Sequence, residues 1–139
     1  MSLFILGDPH LSQQVEKPMD VFGGVWKNYT EKLVRNWTET VSETDTVVIA
    51  GDVSWAMNLD DALEDFRLLD NLPGKKILLK GNHDYWWDTV TKMKRFLKEN
   101  GITTIEFLFN TALRLTEYGF AVLAVGLSKQ VLALKLTRK

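Results

Sequence analysis

The chain contains no cysteine and only two histidines in 139 residues. The first absence removes disulfides and thiolate metal sites from consideration. It also fits a cytoplasmic setting, the compartment expected here. A marked excess of either charge is missing too: the net charge is -1, so there is no bulk electrostatic signal for nucleic acid or an anionic membrane. No apolar run approaches the roughly 18 residues that a membrane helix needs. The N-terminus has no basic stretch ahead of its first apolar run, so a signal peptide is not expected. What remains is ordinary for a soluble globular protein, with 45% apolar and 25% charged residues. The length suits one domain with a real core.

Both histidines fall in short polar clusters, and each cluster follows a short apolar run. Leu3-Phe4-Ile5-Leu6 leads into Gly7-Asp8-Pro9-His10. Thr46-Val47-Val48-Ile49-Ala50 leads into Gly51-Asp52. Lys76-Ile77-Leu78-Leu79-Lys80 leads into Gly81-Asn82-His83-Asp84. One layout is used three times: strand, glycine, then residues of metal-ligand type.

Between the clusters the pattern is helical. Trp26, Leu33, Val34, Trp37 and Val41 share one face of a helix predicted over 26–41, which makes Trp26 and Trp37 core residues. Asn58 is a candidate cap for a second helix, with Asp60 and Asp61 in its first turn and Leu59, Ala62, Leu63, Phe66 and Leu69 on its inner face. Leu72-Pro73-Gly74 ends it. A basic amphipathic helix over 88–99 turns Val90, Met93, Phe96 and Leu97 inward and stops at Asn100-Gly101. Residues 8–25 read as a long loop of the kind that often carries function. After residue 100 the alternation gives way to a hairpin-like β section over 105–125, with a turn at Tyr118-Gly119. Strand and helix alternation up to that point implies a parallel sheet.

In such sheets ligands bind beyond the carboxyl ends of the strands. Asp8 and His10 are close enough in sequence to reach one ion from a single turn. The glycine before Asp52 lets the chain turn tightly and leaves the carboxylate free. Asn82 offers a carbonyl oxygen and His83 an imidazole. Mixed nitrogen and oxygen ligation suits Mn, Fe, Zn, Co or Ni without choosing among them. Each motif alone is bland: an isolated Asp-x-His is usually a surface turn, and Asn82-His83-Asp84 could simply cap a helix. Three at successive strand ends favour a metal site.

In this order and spacing, the motifs resemble the calcineurin-like metallophosphoesterase superfamily over about residues 3–87. Gly51-Asp52-Val53-Ser54-Trp55-Ala56 and Gly81-Asn82-His83-Asp84-Tyr85-Trp86-Trp87 resemble a bacterial branch of predicted phosphohydrolases. The resemblance implies a four-layer α/β/β/α fold and a dinuclear metal centre. Asp8, His10 and Asp52 would serve one metal, Asp52 would bridge, and Asn82 would serve the second. His83 would be the catalytic group at the leaving oxygen, and Asp84 would orient it through its ring N–H. The implied reaction is hydrolysis of phosphate mono- or diesters by metal-activated hydroxide, on a small or macromolecular phosphorylated substrate.

The family also supplies three later histidines, and this chain has none after His83. The expectation is therefore a metallophosphoesterase-like domain over 1–126 whose C-terminal part is missing, followed by a basic tail of unclear origin over 127–139. Truncation or a frame change near Gly126 would explain both features. The alternative function is a catalytically weak or inactive remnant acting as a metal-binding or interaction module, with self-association through an exposed sheet edge. Trp55, Tyr85, Trp86 and Trp87 could line a substrate pocket, although support packing is the plainer reading. The basic run Lys92, Lys94, Arg95 and Lys98 reads as a solvated helix face.

Overall fold

The computed structural model describes residues 1–114 and 121–124, with side chains described over 1–110. Four short strands, β1 (Leu3–Leu6), β2 (Thr46–Ile49), β3 (Lys75–Leu78) and β4 (Ile105–Phe107), form one sheet in the order β1-β2-β3-β4. All neighbours run parallel, with Leu6 opposite Ile49 and Ile49 opposite Leu78. The connecting helices are α1 (Tyr29–Thr40), α2 (Leu63–Asp70) and α3 (Val90–Glu99). Two further strands, β5 (Thr111–Arg114) and β6 (Ala121–Ala124), pair antiparallel as a separate sheet. The architecture is the α/β one expected of a metallophosphoesterase-like fold.

Strand sequences explain the arrangement. β2 is Thr-Val-Val-Ile and buried at every position, as a strand covered on both faces requires. Val47 and Ile49 join a large cluster with Trp37, Phe66, Leu69, Met93, Leu97 and Phe107, drawn from all three helices and β4. Val48 points the other way and clusters with Ile77, Leu79 and Leu108. Helices on one face follow from the strand order: when each right-handed crossover steps one place in the same direction, every crossover lies on the same side.

The helix ends show local chemistry at work. The Thr89 side chain accepts the Lys92 N–H at 3.3 Å to cap α3. At the other end Gly101 takes φ 69°, and the Ile102 N–H returns to the Leu97 carbonyl at 3.0 Å. The Trp37 indole donates to the Pro73 carbonyl at 3.0 Å, tying α1 to the turn before β3.

Some expectations shift. Trp26 lies outside α1, in a single 3-10 turn over Gly24–Trp26, half-buried and edge-on to Tyr29. Trp37 alone of that pair is core. Asn58 does accept the Asp61 N–H at 2.9 Å, but it closes a turn, and α2 begins only at Leu63. β4 extends the parallel sheet and is not part of the hairpin section, whereas β5 and β6 do pair as a hairpin would. The turn at 118–119 and the tail at 127–139 lie outside the described residues.

Candidate metal centre

All three polar clusters lie at one edge, because β1, β2 and β3 are adjacent and parallel. The segments that follow β1 and β2 stay paired past the strand ends. His10 N–H donates to the Asp52 carbonyl and Leu11 N–H to the Val53 carbonyl, both at 2.9 Å, and Leu11 bridges Ser54. The Tyr29 hydroxyl, from α1, donates to the His10 carbonyl at 2.5 Å. His10 is thus fixed from two sides, the segment after β2 and α1.

Non-glycine residues with positive φ concentrate here. Asp8 (φ 49°), His10 (φ 44°) and Asp52 (φ 51°) are three of the five among the described residues. A left-handed L-residue costs on the order of 1–2 kcal/mol, and such outliers gather where function requires the geometry.

Two of these residues, His10 and Asp52, meet His83. The ligand atoms of His10, Asp52 and His83 all lie within 4.8 Å of one another. His83 Nδ1 is 2.8 Å from Asp52 Oδ2, and His10 Nε2 is 3.8 Å from that same oxygen. Asp52 Oδ1 accepts the His83 backbone N–H at 2.9 Å. Burial pushes the Asp52 carboxyl upward, but the His83 ring, its backbone N–H and the nearby imidazoles outweigh that and hold it below the usual range. Gly81 makes room for the carboxylate. A Cβ at 81 would overlap the Asp52 backbone nitrogen and Oδ1 and lie 2.8 Å from its Cγ.

Behind the group, Asp84 is buried and accepts five hydrogen bonds. Its Oδ2 takes the N–H of Asp52 (2.8 Å) and Gly81 (2.7 Å). Its Oδ1 takes those of Val53 (2.7 Å) and Ser54 (3.3 Å) and the Trp86 indole N–H (2.9 Å). Burial raises its carboxyl pKa, opposed by these donors. This corrects the expected role. Asp84 does not hold the His83 ring, whose Nδ1 belongs to Asp52; it clamps the backbone that presents Asp52.

The other expected residues are placed as follows. Asp8 is exposed and outside the three-residue group. Asn82 is exposed, its amide nitrogen 3.1 Å from His83 Nδ1 and 3.3 Å from Nε2. His83 is 39% exposed at the side chain, and sits inside the group, not apart from it.

One supporting residue escaped the sequence reading. Asp65 on α2 is fully buried, accepting the Ser54 hydroxyl at 2.5 Å and the Gln13 N–H at 2.8 Å. It joins the segments after β1 and β2, and burial raises its carboxyl pKa. Its signal was available, since position 65 lies on the same helical stripe as Ala62, Phe66 and Leu69.

The donor set fits a divalent cation. His10 turns its Nε2 toward Asp52 Oδ2 at 3.8 Å, while its Nδ1 is buried and has no hydrogen-bond partner among the described residues. Imidazole nitrogen and carboxylate oxygen gathered around one point suit a borderline transition metal.

The comparisons agree with this picture. No curated protein sequence matches the chain. Among solved structures it is similar to the protein of unknown function AQ665 from Aquifex aeolicus, with 24% identity and a TM-score of 0.55. That likeness covers 88% of this chain and 59% of the other, so the chain spans well under two thirds of its length, and it concerns the fold. The model of the calcineurin-like phosphoesterase family matches residues 1–126, which take in every strand-end residue described above. The chain belongs to the calcineurin-like phosphoesterase family.

Proposed function

We propose that the chain is a metal-dependent phosphoesterase acting on phosphate mono- or diesters. The observation that carries the reading is the convergence of His10, Asp52 and His83 at one sheet edge. His10 and Asp52 would hold the cation, and Asp8 and Asn82, exposed at the same edge, would complete its shell. A divalent cation held there would polarise the phosphoryl group and make water acidic enough to supply hydroxide near neutral pH.

The chain's own residues do the rest. Asp52 accepts from His83 Nδ1, which leaves Nε2 to hand a proton to the departing oxygen. Asp84 and Asp65 keep the strand-end segments in place. The proposed substrate is a phosphorylated small-molecule or macromolecular compound, and the proposed setting is cytoplasmic. Among the described residues no helix is long and apolar enough to cross a membrane.

Turnover of p-nitrophenyl phosphate and bis-p-nitrophenyl phosphate with added Mn tests this. Asp52→Asn should lower kcat/KM by more than the roughly 100-fold that loss of a ligand's supporting partner can cost. Absence of turnover by the wild-type chain on both esters would overturn the enzyme reading and leave a metal-binding or interaction module.

A further inference from the structure

The two imidazoles of the metal group are held in different ways. The His83 ring is anchored by polar contacts. Its Nδ1 lies 2.8 Å from Asp52 Oδ2, and the Asn82 amide nitrogen is 3.1 Å from that same Nδ1. The His10 ring has no such anchor. Its Nε2 is 3.8 Å from Asp52 Oδ2, too far for a hydrogen bond, and its buried Nδ1 has no hydrogen-bond partner among the described residues. The hydrogen bonds that fix His10 are made by its backbone, and they leave the ring plane unset.

What lies against that ring is Trp55. The two rings stack, with centroids 4.5 Å apart and 16° between planes. Trp55 is also 5.3 Å from His83, and the two imidazoles are 5.9 Å apart, so three rings close a triangle. Half-buried Trp55 is itself held. Its N–H donates to the Leu11 carbonyl at 2.9 Å, and the Lys17 ammonium lies 5.8 Å from its ring centre, within cation–π reach. The neighbouring aromatics make other contacts. The buried Trp86 indole is tied to Asp84, Trp87 packs on Phe107 and Phe109, and Tyr85 stands edge-on to His83.

A histidine that binds a metal through one ring nitrogen ordinarily donates the other ring N–H to an acceptor, and that bond fixes the ring plane. With Nε2 turned to the metal group, the acceptor at His10 Nδ1 is missing among the described residues. A stacked aromatic face restrains the same rotation through packing and ring electrostatics. We infer that Trp55 is the positioning residue for His10, its indole face standing in for that acceptor. This rests on the reading of His10 as a metal ligand of a phosphoesterase.

Mn affinity of the full chain, read from the paramagnetic resonance signal of the free ion, tests it. Any of the substitutions used leaves the backbone N–H of residue 55 in place, so the variants isolate the ring. Trp55→Leu should weaken Mn binding about tenfold, and Trp55→Phe, which keeps a flat face, should recover most of that loss. Trp55→Met, equally without a flat face, replaces the leucine variant if leucine prevents folding. The route through His10 is read from a double-mutant cycle: in a His10→Ala background, Trp55→Leu should change Mn affinity by less than about twofold. An equal loss in both backgrounds would mean that Trp55 supports the fold in general, and would overturn the inference. Unchanged affinity in Trp55→Leu would overturn it too and spare the phosphoesterase. No Mn binding by the wild-type chain would overturn both. The expected cycle in a chain that turns over neither ester would uphold the role of Trp55 and sink the phosphoesterase.

Discussion

At the amino end of the parallel sheet, Asp45, Asp70 and Lys76 are all committed to the fold. Asp45 accepts from the Ser2 N–H (2.5 Å), the Ser42 N–H (2.9 Å) and the Ser42 hydroxyl (2.7 Å). Asp70 Oδ1 takes the N–H groups of Thr103 (3.1 Å) and Thr104 (2.8 Å) and the Thr104 hydroxyl (2.7 Å). Lys76 is fully buried, its ammonium bonded to the Leu72 carbonyl and, at 3.1 Å, to the Thr104 hydroxyl. At the carboxyl end of the same strands the inner layer is equally committed, through Asp84 and Asp65. The outer layer is not: Asp8 and Asn82 are exposed, three residues are left-handed, and His10 Nδ1 has no hydrogen-bond partner among the described residues. One end of the sheet uses its charges to hold strands together. The other uses a buried carboxylate to hold a strained outer layer ready for something else.

The sharpest way to break this contrast is to remove the inner layer at the carboxyl end. Asp84→Ala strands five donors, and unfolding free energy should fall by about 4 kcal/mol in urea titrations. A change under 1 kcal/mol would mean that the backbone there is held by other means. Gly81→Ala comes next. The added methyl has nowhere to go without moving Asp52, so about 3 kcal/mol of stability and measurable Mn affinity should both be lost. Retained Mn affinity would show that the Asp52 position tolerates movement.

At the amino end, Asp70→Asn should cost about 1 kcal/mol at pH 7, and the cost should depend on pH. Burial pushes the Asp70 carboxyl upward, but the Thr104 and Thr103 donors outweigh it and hold it below its ordinary value. A depressed carboxyl stabilises the fold above its unfolded pKa of about 3.9, and the contribution is lost as pH falls through the lower folded value. The gap between wild type and variant should therefore begin to narrow below about pH 4 and close only below the folded value. A gap that persists there would assign the loss to packing.

The smallest effect should have the opposite sign. Asp8→Gly removes the penalty of a left-handed side chain and should raise stability by about 0.5 kcal/mol while weakening Mn binding. Loss of stability would mean that the Asp8 side chain supports the fold after all.

Much of this was legible in the sequence. Short apolar runs ending in Gly-Asp or Gly-Asn-His marked the strand ends, because a parallel strand buried on both faces must read as a continuous apolar run. Three such ends in register then had to meet along one edge. The left-handed backbone was not legible, since glycine announces positive φ and aspartate and histidine do not. The role of Asp84 was hidden for a related reason. Four of its five donors are backbone N–H groups, which carry no residue identity, so the imidazole beside it in sequence looked like the natural partner. Trp26 followed helical spacing but fell before the helix began, because Gly23 and Gly24 interrupt the approach to α1 at φ 64° and 56°. Asn58 was recognised as a capping residue, yet the same Asx chemistry serves an isolated turn equally well.

The tight fit between Gly81 and Asp52 also limits how this protein could be redesigned. Shortening residue 52 would not make space at 81, because the backbone nitrogen of 52 is itself among the atoms a Cβ would strike. Aspartate is moreover the shortest side chain that carries a carboxylate. The two positions therefore cannot be exchanged for a new pair by compensating substitutions. Altering the metal preference of this edge would mean starting from the freer positions, Asp8 and Asn82, and leaving the Gly81–Asp52 contact as found.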